Sequence, residues 1–343
     1  MARIMVAMSG GVDSSVAAAM LQAEGHEITG VTLKLWGGDQ DQGCCAVSDV
    51  DDARRVAQQL GIDHFVFNYG DDFDAHVVQP YVDAHQQGLT PNPCIECNRH
   101  VKFDLLTERA RRLGFDTVAT GHHVRKIDTP DGPRLARGAD NAKDQSYVLY
   151  MLSAADLEGL VFPVGDLNKG EVRDLAVELG LRTADKPDSQ DLCFITESAG
   201  RDGFLKDRVE LTPGELVDEH GNVVGSVPSV QLVTIGQRRG LDLGGDTERR
   251  YAVDVDVPAG RVVVGRKEDL YTSSTPVVNH TWTDAPVIGA VMAQTSAHGT
   301  PAAATLDEGH QVMWDEPHYK VAPGQAVVFY RNGHVVGGGT ATR

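Results

Sequence analysis

The stretch MVAMSGGVDSSVAAAM, Met5–Met20, decides the fold. It opens as a short apolar run, passes through Ser9–Gly10–Gly11 and closes in an Ala-rich segment, which reads as buried strand, tight turn and helix. Two glycines let the backbone come close to a ligand. The helix start beyond them offers N–H groups and a positive dipole end to an anion. The hydroxyls of Ser9, Ser14 and Ser15 add donors. Asp13 among them would repel phosphate unless a cation intervenes, which points to Mg2+. The turn lacks the lysine of a P-loop and the spacing of a dinucleotide fingerprint, so it holds phosphate in another way. A Gly-Ser turn capped by Asp or Ser is the plain structural alternative.

Outward from this turn, strand-like and helix-like runs alternate. EITGVTLKLW and DHFVFNY read as strands, and DVDDARRVAQQLG as a helix stopped at Gly61. DDFDAHVVQPYVDAHQQG is a helix interrupted at Pro80, VKFDLLTERARRLG a helix ending in a basic turn, and DTVATGHH a strand. This order predicts an α/β domain, a doubly wound parallel sheet with helices on both faces. Ligands then sit beyond the carboxyl ends of the strands, and the turns after Met8 and Thr120 are both at such ends. Near residue 200 the pattern changes. GELVDEHGNVVGSV and YAVDVDVPAGRVVVG read as hairpins, and QAVVFYRNGHVVGGGT as another turning at Asn332–Gly333. The expected architecture is α/β plus β: residues 1–200 catalytic, 201–275 a small β-rich middle domain, and 276–343 a C-terminal β-barrel.

The 343 residues carry a formal net charge of −18, which argues against a generally basic nucleic-acid coat but leaves room for a local basic face. Arg238–Arg239, Arg249–Arg250 and Arg266–Lys267 could supply one if clustered, although such pairs are more often solvated surface. The N-terminus is too short for a signal peptide and no run approaches a membrane span, so a cytoplasmic location is expected. Structural disulfides are rare there. The five cysteines, Cys44, Cys45, Cys94, Cys97 and Cys193, are then buried hydrophobes, ligands or reactive thiols. Cys94 and Cys97 form a CxxC behind the stiff Pro91 and Pro93. A helix start there, with Arg99 and Lys102, would favour a thiolate. A zinc site needs four ligands, and no second such pair appears. Cys193 lies in KPDSQDLCFIT, where Asp188 and Asp191 disfavour a plain thiolate but tolerate an intrinsically more acidic persulfide.

The string SGGVDSS resembles the pyrophosphatase loop of the ATP pyrophosphatases, which split ATP between the α- and β-phosphates. The chain carries, in order, SGGVDSS, TPNPCIECNRHVKF, ATGHH, KDQSYVLY and DSQDLCFI. Taken together these resemble the tRNA-specific 2-thiouridylases along essentially the full length. The resemblance implies an ATP-pyrophosphatase sheet of the adenine nucleotide alpha-hydrolase-like type. It further implies ATP-dependent adenylation of the carbon-2 carbonyl of the wobble uridine, then sulfur transfer from a cysteine persulfide. It assigns the persulfide to Cys193 and the second thiol to Cys97, with a transient disulfide between them. ATP contacts fall on Ala7, Met8, Ser9, Gly10, Gly11, Val12, Asp13, Ser14, Leu33 and Gly121. Contacts to tRNA fall on Asn92, Pro93, Cys94, His122, Lys143, Asp144, Gln145 and Gln325. The implied partners are glutamate, glutamine and lysine tRNAs and a cysteine desulfurase or sulfur carrier, the protein acting as a monomer with no membrane.

Several of these residues also have local readings. His122 could be a turn histidine, Lys143–Gln145 a solvated loop, Gln325 part of a turn, and Leu33 a packing residue. Cys94 stands where many family members have Asp. Either that acid is dispensable or Asp104 or water replaces it. The change also makes Cys94, Cys97 and Cys193 a three-cysteine set that could hold an iron–sulfur cluster. Ser296–Ala297 stands where relatives carry Arg beside another residue, with His298 as a stand-in or a turn residue. Cys44–Cys45 reads as packing or a helix cap. Two other readings compete: another ATP pyrophosphatase, such as a lysidine or amidotransferase-type synthetase, and a nucleotide sensor without turnover.

Overall fold

In the computed structural model the described residues are 1–36, 47–188, 192–195, 200–243 and 249–343. Cys44, Cys45 and Asp191 lie outside them. The chain forms two compact units. The first comprises Met1–Val78, Pro93–Ser198 and Asn332–Val336; the second comprises Gln79–Asn92, Ala199–Arg331 and Gly337–Arg343.

The first unit is built on a parallel sheet. Strand β1 (Arg3–Ala7) pairs with β2 (Glu27–Lys34) on one side and β4 (Thr117–Thr120) on the other. Strand β3 (Asp63–Asn68) flanks β2, and a two-residue strand, Leu160–Val161, flanks β4. The spatial order is therefore β3-β2-β1-β4 and then Leu160–Val161. The chain adds strands to one side of β1 through β2 and β3 and to the other side with β4, a switch point that opens a crevice at the carboxyl ends of β1 and β4. The turns after β1 and after β4 form its two lips.

Helix α1 (Val12–Ala23) runs off the first lip. Its small apolar side chains, Val16, Ala17 and Ala18, have no exposed surface, so the helix lies close on the sheet. They join Val6, Met8, Val56, Ala119 and Val172 in one core. Helix α2 (Val47–Leu60) ends at Gly61, whose φ of +67° makes it the left-handed stop that the sequence indicates. The expected long helix around Pro80 is split into Gly70–Phe73, a wide-turned segment Asp74–Val78, and Gln79–Gln86. Pro80 occupies the second position of the last piece, where its missing N–H does least harm. A hairpin, Val124–Thr129 with Gly132–Arg137, was not read from the sequence, although Pro130–Asp131–Gly132 at its turn is a signal that could have found it.

The second unit is β-rich. Gly214–Val217 and Val223–Val227 pair antiparallel, as do Tyr251–Asp256 and Arg261–Gly265, both hairpins being legible in the sequence. They share one sheet over a core of Leu216, Val227, Val255, Val262 and Val264. The C-terminal hairpin turns at Asn332 (φ +52°) and Gly333 (φ +81°), in the short stretch counted with the first unit, and these form the left-handed pair that a type I′ hairpin needs. The α/β and all-β classes expected for the two ends of the chain are both observed. No described helix is long and apolar enough to cross a membrane.

Candidate nucleotide and sulfur site

The first lip of the crevice is held open from below. Met8 N donates to Val31 O, and the Thr32 hydroxyl donates to Met8 O at 2.8 Å. Gly10 sits at φ +75°, and a Cβ there would lie 2.2 Å from Asp49 O, so only glycine fits against α2. Gly11 begins α1 in extended conformation, and no side chain caps the helix. The Ser14 and Ser15 hydroxyls instead donate back to Gly11 O, and Ser9 N donates to Ser14 Oγ. The first turn of α1 therefore presents backbone N–H groups, not a closed cap. The second lip comes close: a Cβ on Gly121 would lie 2.5 Å from Ser14 N. Both lips are bare backbone at the switch point, the form a phosphate cradle takes.

Asp13 projects from this turn into a network. Lys169 Nζ bonds both of its oxygens, at 2.7 and 2.8 Å, and His123 Nε2 lies 3.0 Å from Oδ1. Burial would raise the Asp13 pKa, but the bonds from His123 and Lys169 outweigh it and hold the carboxyl below its ordinary value. His123 Nδ1 is buried with no hydrogen-bond partner, which leaves Nε2 as the ring's link to Asp13. Lys169 is the first residue of the helix Lys169–Glu178, set by a capping box of Asn168 and Glu171. The same ammonium reaches Asp188 Oδ1 at 2.8 Å. Asp188 also takes Lys143 at 2.7 Å and Arg173 at 3.0 Å. Burial again works against it, yet the bonds from Lys143 and Lys169 lower its carboxyl to about 2.

His122, in the turn after β4, is buried, with Nδ1 2.7 Å from Thr120 Oγ1 and its ring against Phe103. Burial, then the charge of Lys102, drops its pKa well below the ordinary value, so it stays neutral. Asp144 accepts from Arg137, Ser146 and the backbone of Gly138 and Ser146, which pins the loop rather than exposing the carboxylate. Gln145 Oε1 accepts from His123 N. Gln145 thus backs His123 behind Asp13, Lys143 joins the Asp188 cluster, and Asp144 pins the loop that carries them. Leu33 is buried in β2, one strand from the crevice. Gln325 lies in the second unit, where its carbonyl accepts from Ala341 N.

The cysteines are set differently. A helix begins at Pro93, placing Cys94, exposed, in its first turn. Cys97, buried, opens the wide-turned segment Cys97–Leu105. Such segments are uncommon and cluster at functional sites. Arg99 is drawn to Glu96 at 3.6 Å, and Asn98 Nδ2 anchors the segment on Val148 O. Cys193 is half-buried. Its neighbour Phe194 packs against Trp36 (6.2 Å between ring centres) and Phe73 (5.7 Å), the trio fixing that chain segment at the end of β2. Among the described residues no group of three His, Cys, Asp or Glu is disposed to share a metal ion. The three-cysteine arrangement a cluster needs is therefore not assembled in this structure.

His123, Lys169 and the Trp36–Phe73 clamp were missed in the sequence. His123 sits in ATGHH beside the residue that was singled out. Lys169 reads only as a helix start, with nothing to place it near Asp13.

Family models match along the chain: the tRNA methyl transferase HUP domain over residues 2–197, its PRC-barrel domain over 202–266, and the aminomethyltransferase beta-barrel domain over 283–341. The chain is 45% identical to the tRNA-specific 2-thiouridylase MnmA of Chloroflexus aurantiacus, covering all of this chain and 99% of the relative. It is 42% identical to that of Roseiflexus castenholzii, covering the whole of both chains. The Geobacter metallireducens protein is 42% identical over 98% of this chain and 96% of its own.

Proposed function

The chain belongs to the tRNA-specific 2-thiouridylase family, an enzyme family that thiolates tRNA uridine, and on that premise we propose how its residues divide the reaction. The observation that carries the reading is the crevice between β1 and β4, two lips of bare backbone with Asp13 between them. The triphosphate of ATP lies along Ser9–Ser14, with Leu33 and Gly121 bounding the nucleotide. Asp13, ionised and part-exposed, fits a Mg2+ ion, which would screen phosphate charge at the turn.

The carbonyl oxygen at carbon 2 of uridine attacks the α-phosphorus. The bond to the β-phosphate breaks, and pyrophosphate stays on the turn's N–H groups. A urea-like oxygen is a poor leaving group, and adenylation makes it a good one. The outer sulfur of a Cys193 persulfide then attacks carbon 2, and AMP departs. The Cys97 thiolate attacks Cys193 Sγ; the S–S bond breaks and its electron pair stays on the sulfur now in the base. The resulting Cys97–Cys193 disulfide is reduced by an external thiol. Asn92, Pro93 and exposed Cys94 face the target base, with Cys94 taking the place of an acid. His122, Lys143, Gln145 and Gln325 contact the tRNA, and Asp144 holds their loop.

The sulfur comes from a cysteine desulfurase or carrier, the acceptors are glutamate, glutamine and lysine tRNAs, and the protein acts as a monomer in the cytoplasm. The test is nucleoside mass spectrometry after incubation with ATP, Mg2+, a persulfide source and unmodified glutamate tRNA. The expected result is 2-thiouridine that depends on both Cys97 and Cys193. AMP formation without thiouridine would move the chemistry to another nucleophile.

A further inference from the structure

The turn after β1 contains no lysine, yet it meets one. Lys169 Nζ lies 2.7 and 2.8 Å from the two oxygens of Asp13, and Asp188 Oδ1 takes the same ammonium at 2.8 Å. His123 Nε2 adds a third contact to Asp13, 3.0 Å from Oδ1. An ionised carboxylate accepts about four hydrogen bonds, so the chain itself fills most of the places on Asp13. The Lys169 side chain is 13% exposed and that of Asp13 28%, so the pair is drawn out of bulk water rather than lying loose on the surface.

Charge is balanced as well. Asp188 also holds Lys143 at 2.7 Å and Arg173 at 3.0 Å. Asp140 accepts from the backbone N–H of Lys169 at 3.0 Å. Among the described residues, Asp13, Asp140 and Asp188 thus stand against Lys143, Lys169 and Arg173, three charges of each sign.

A divalent cation arriving alone meets a carboxylate that already has its cation. It must push the ammonium aside or bind next to it. A unit charge about 4 Å from a divalent ion opposes it roughly thirty-fold even at the dielectric constant of water. A cation arriving on a triphosphate is in another position. The phosphates bring the negative charge that a second cation needs, and Mg2+ ordinarily binds through one or two carboxylates plus substrate phosphates. Asp188 leaves the ammonium a partner to keep when it yields Asp13.

We propose that Lys169 is a specificity-determining residue for the metal: it occupies Asp13 in the nucleotide-free protein, so that Mg2+ reaches the turn only together with ATP. This rests on the reading that the turn binds ATP and that Asp13 takes its metal. Free Mg2+ then neither blocks the cradle before the nucleotide arrives nor stays behind once pyrophosphate has left.

The test titrates the full chain with Mn2+ in the absence of nucleotide. The electron paramagnetic resonance signal of the ion weakens as it leaves water for a protein site. A chain of net charge −18 binds some Mn2+ on its surface, so each protein is paired with its Asp13→Asn counterpart and the difference is read. Circular dichroism checks that every variant is folded. Wild type should show no difference from Asp13→Asn. Lys169→Met should bind Mn2+ at least roughly thirty-fold more tightly than wild type, and adding Asp13→Asn should abolish the gain. Lys169→Arg keeps a cation at the turn and should behave as wild type. Mn2+ held on Asp13 by the nucleotide-free wild-type protein would overturn the proposal, whatever the variants do. So would a folded Lys169→Met that gains no affinity, or an equal gain in Lys169→Arg. Equilibrium dialysis of the imidodiphosphate analogue of ATP with Mn2+ tests the reading beneath. Wild type should bind the analogue, and Asp13→Asn should bind it more weakly. No binding to wild type would overturn the ATP reading, and equal binding by Asp13→Asn would overturn the assignment of the metal to Asp13.

Discussion

The nucleotide turn and the sulfur-handling cysteines differ in how far the fold has built them. The turn is finished: Gly10 pressed against the backbone of α2, the hydroxyls of Ser14 and Ser15 turned back onto Gly11 O, and an ionised Asp13 held by Lys169 and His123. The cysteines are held apart in environment, Cys94 exposed, Cys97 buried in a wide-turned segment, and Cys193 half-buried beside an aromatic clamp. Adenylation stabilises developing charge on phosphates, which a rigid cradle does best. Sulfur transfer needs a thiol that is loaded by one partner and unloaded on another, and a rigid cradle would prevent that.

The largest expected effect separates the two regions outright. Cys97→Ser and Cys193→Ser should each cut 2-thiouridine formation by roughly 1000-fold or more, as loss of a nucleophile does. Nucleotide binding should be unchanged in both. A matching loss of nucleotide binding would mean the two regions are one site.

Next comes the turn. In Gly10→Ala the new methyl meets Asp49 O at a left-handed φ, and the strain is about 1–3 kcal/mol. Displacing the cradle by the resulting fraction of an ångström or more should lower AMP formation and thiolation together, by roughly 100-fold. Steady-state kinetics of both products would show it, and a selective loss of thiolation would break the comparison.

Phe194→Ala probes the other side. It removes the contacts to Trp36 and Phe73, each aromatic pair contributing about 0.5–1.5 kcal/mol beyond burial. Thiolation should fall about tenfold, near 1.4 kcal/mol in the barrier, while tRNA-dependent AMP formation stays near wild type.

The smallest effect is in acid. Asp188 titrates at about 2 in the folded protein, against about 3.9 in an unfolded chain. A depressed carboxyl stabilises above its unfolded value, and that contribution is lost as pH falls from about 4 towards 2. Urea titrations across that range should show a shallower slope for Asp188→Asn than for wild type.

The parts legible in the sequence were those written locally. SGGVDSS fixed the strand, turn and helix because each step depends on neighbours in the chain. Asn332–Gly333 marked its hairpin for the same reason, left-handed backbone being cheap there. The contacts of Lys169 were not legible, since 156 positions separate it from Asp13 and its own surroundings show only a capped helix. The Trp36–Phe73–Phe194 clamp joins three distant segments, and an aromatic residue in isolation reads as ordinary core. The wide turn at Cys97–Leu105 has no residue signature, so the sequence indicated a plain helix. Asp144 entered through the resemblance alone, and the four donors around its carboxylate, from Arg137, Gly138 and Ser146, were not legible in the sequence.

The most direct measurement uses Cys193→Ser with ATP, Mg2+ and unmodified glutamate tRNA, following pyrophosphate release and nucleoside products in a single turnover. A preformed nucleotide site predicts one equivalent of tRNA-dependent pyrophosphate and no 2-thiouridine. Loss of pyrophosphate release together with thiouridine, in a folded variant that binds both substrates, would contradict the separation of the two regions.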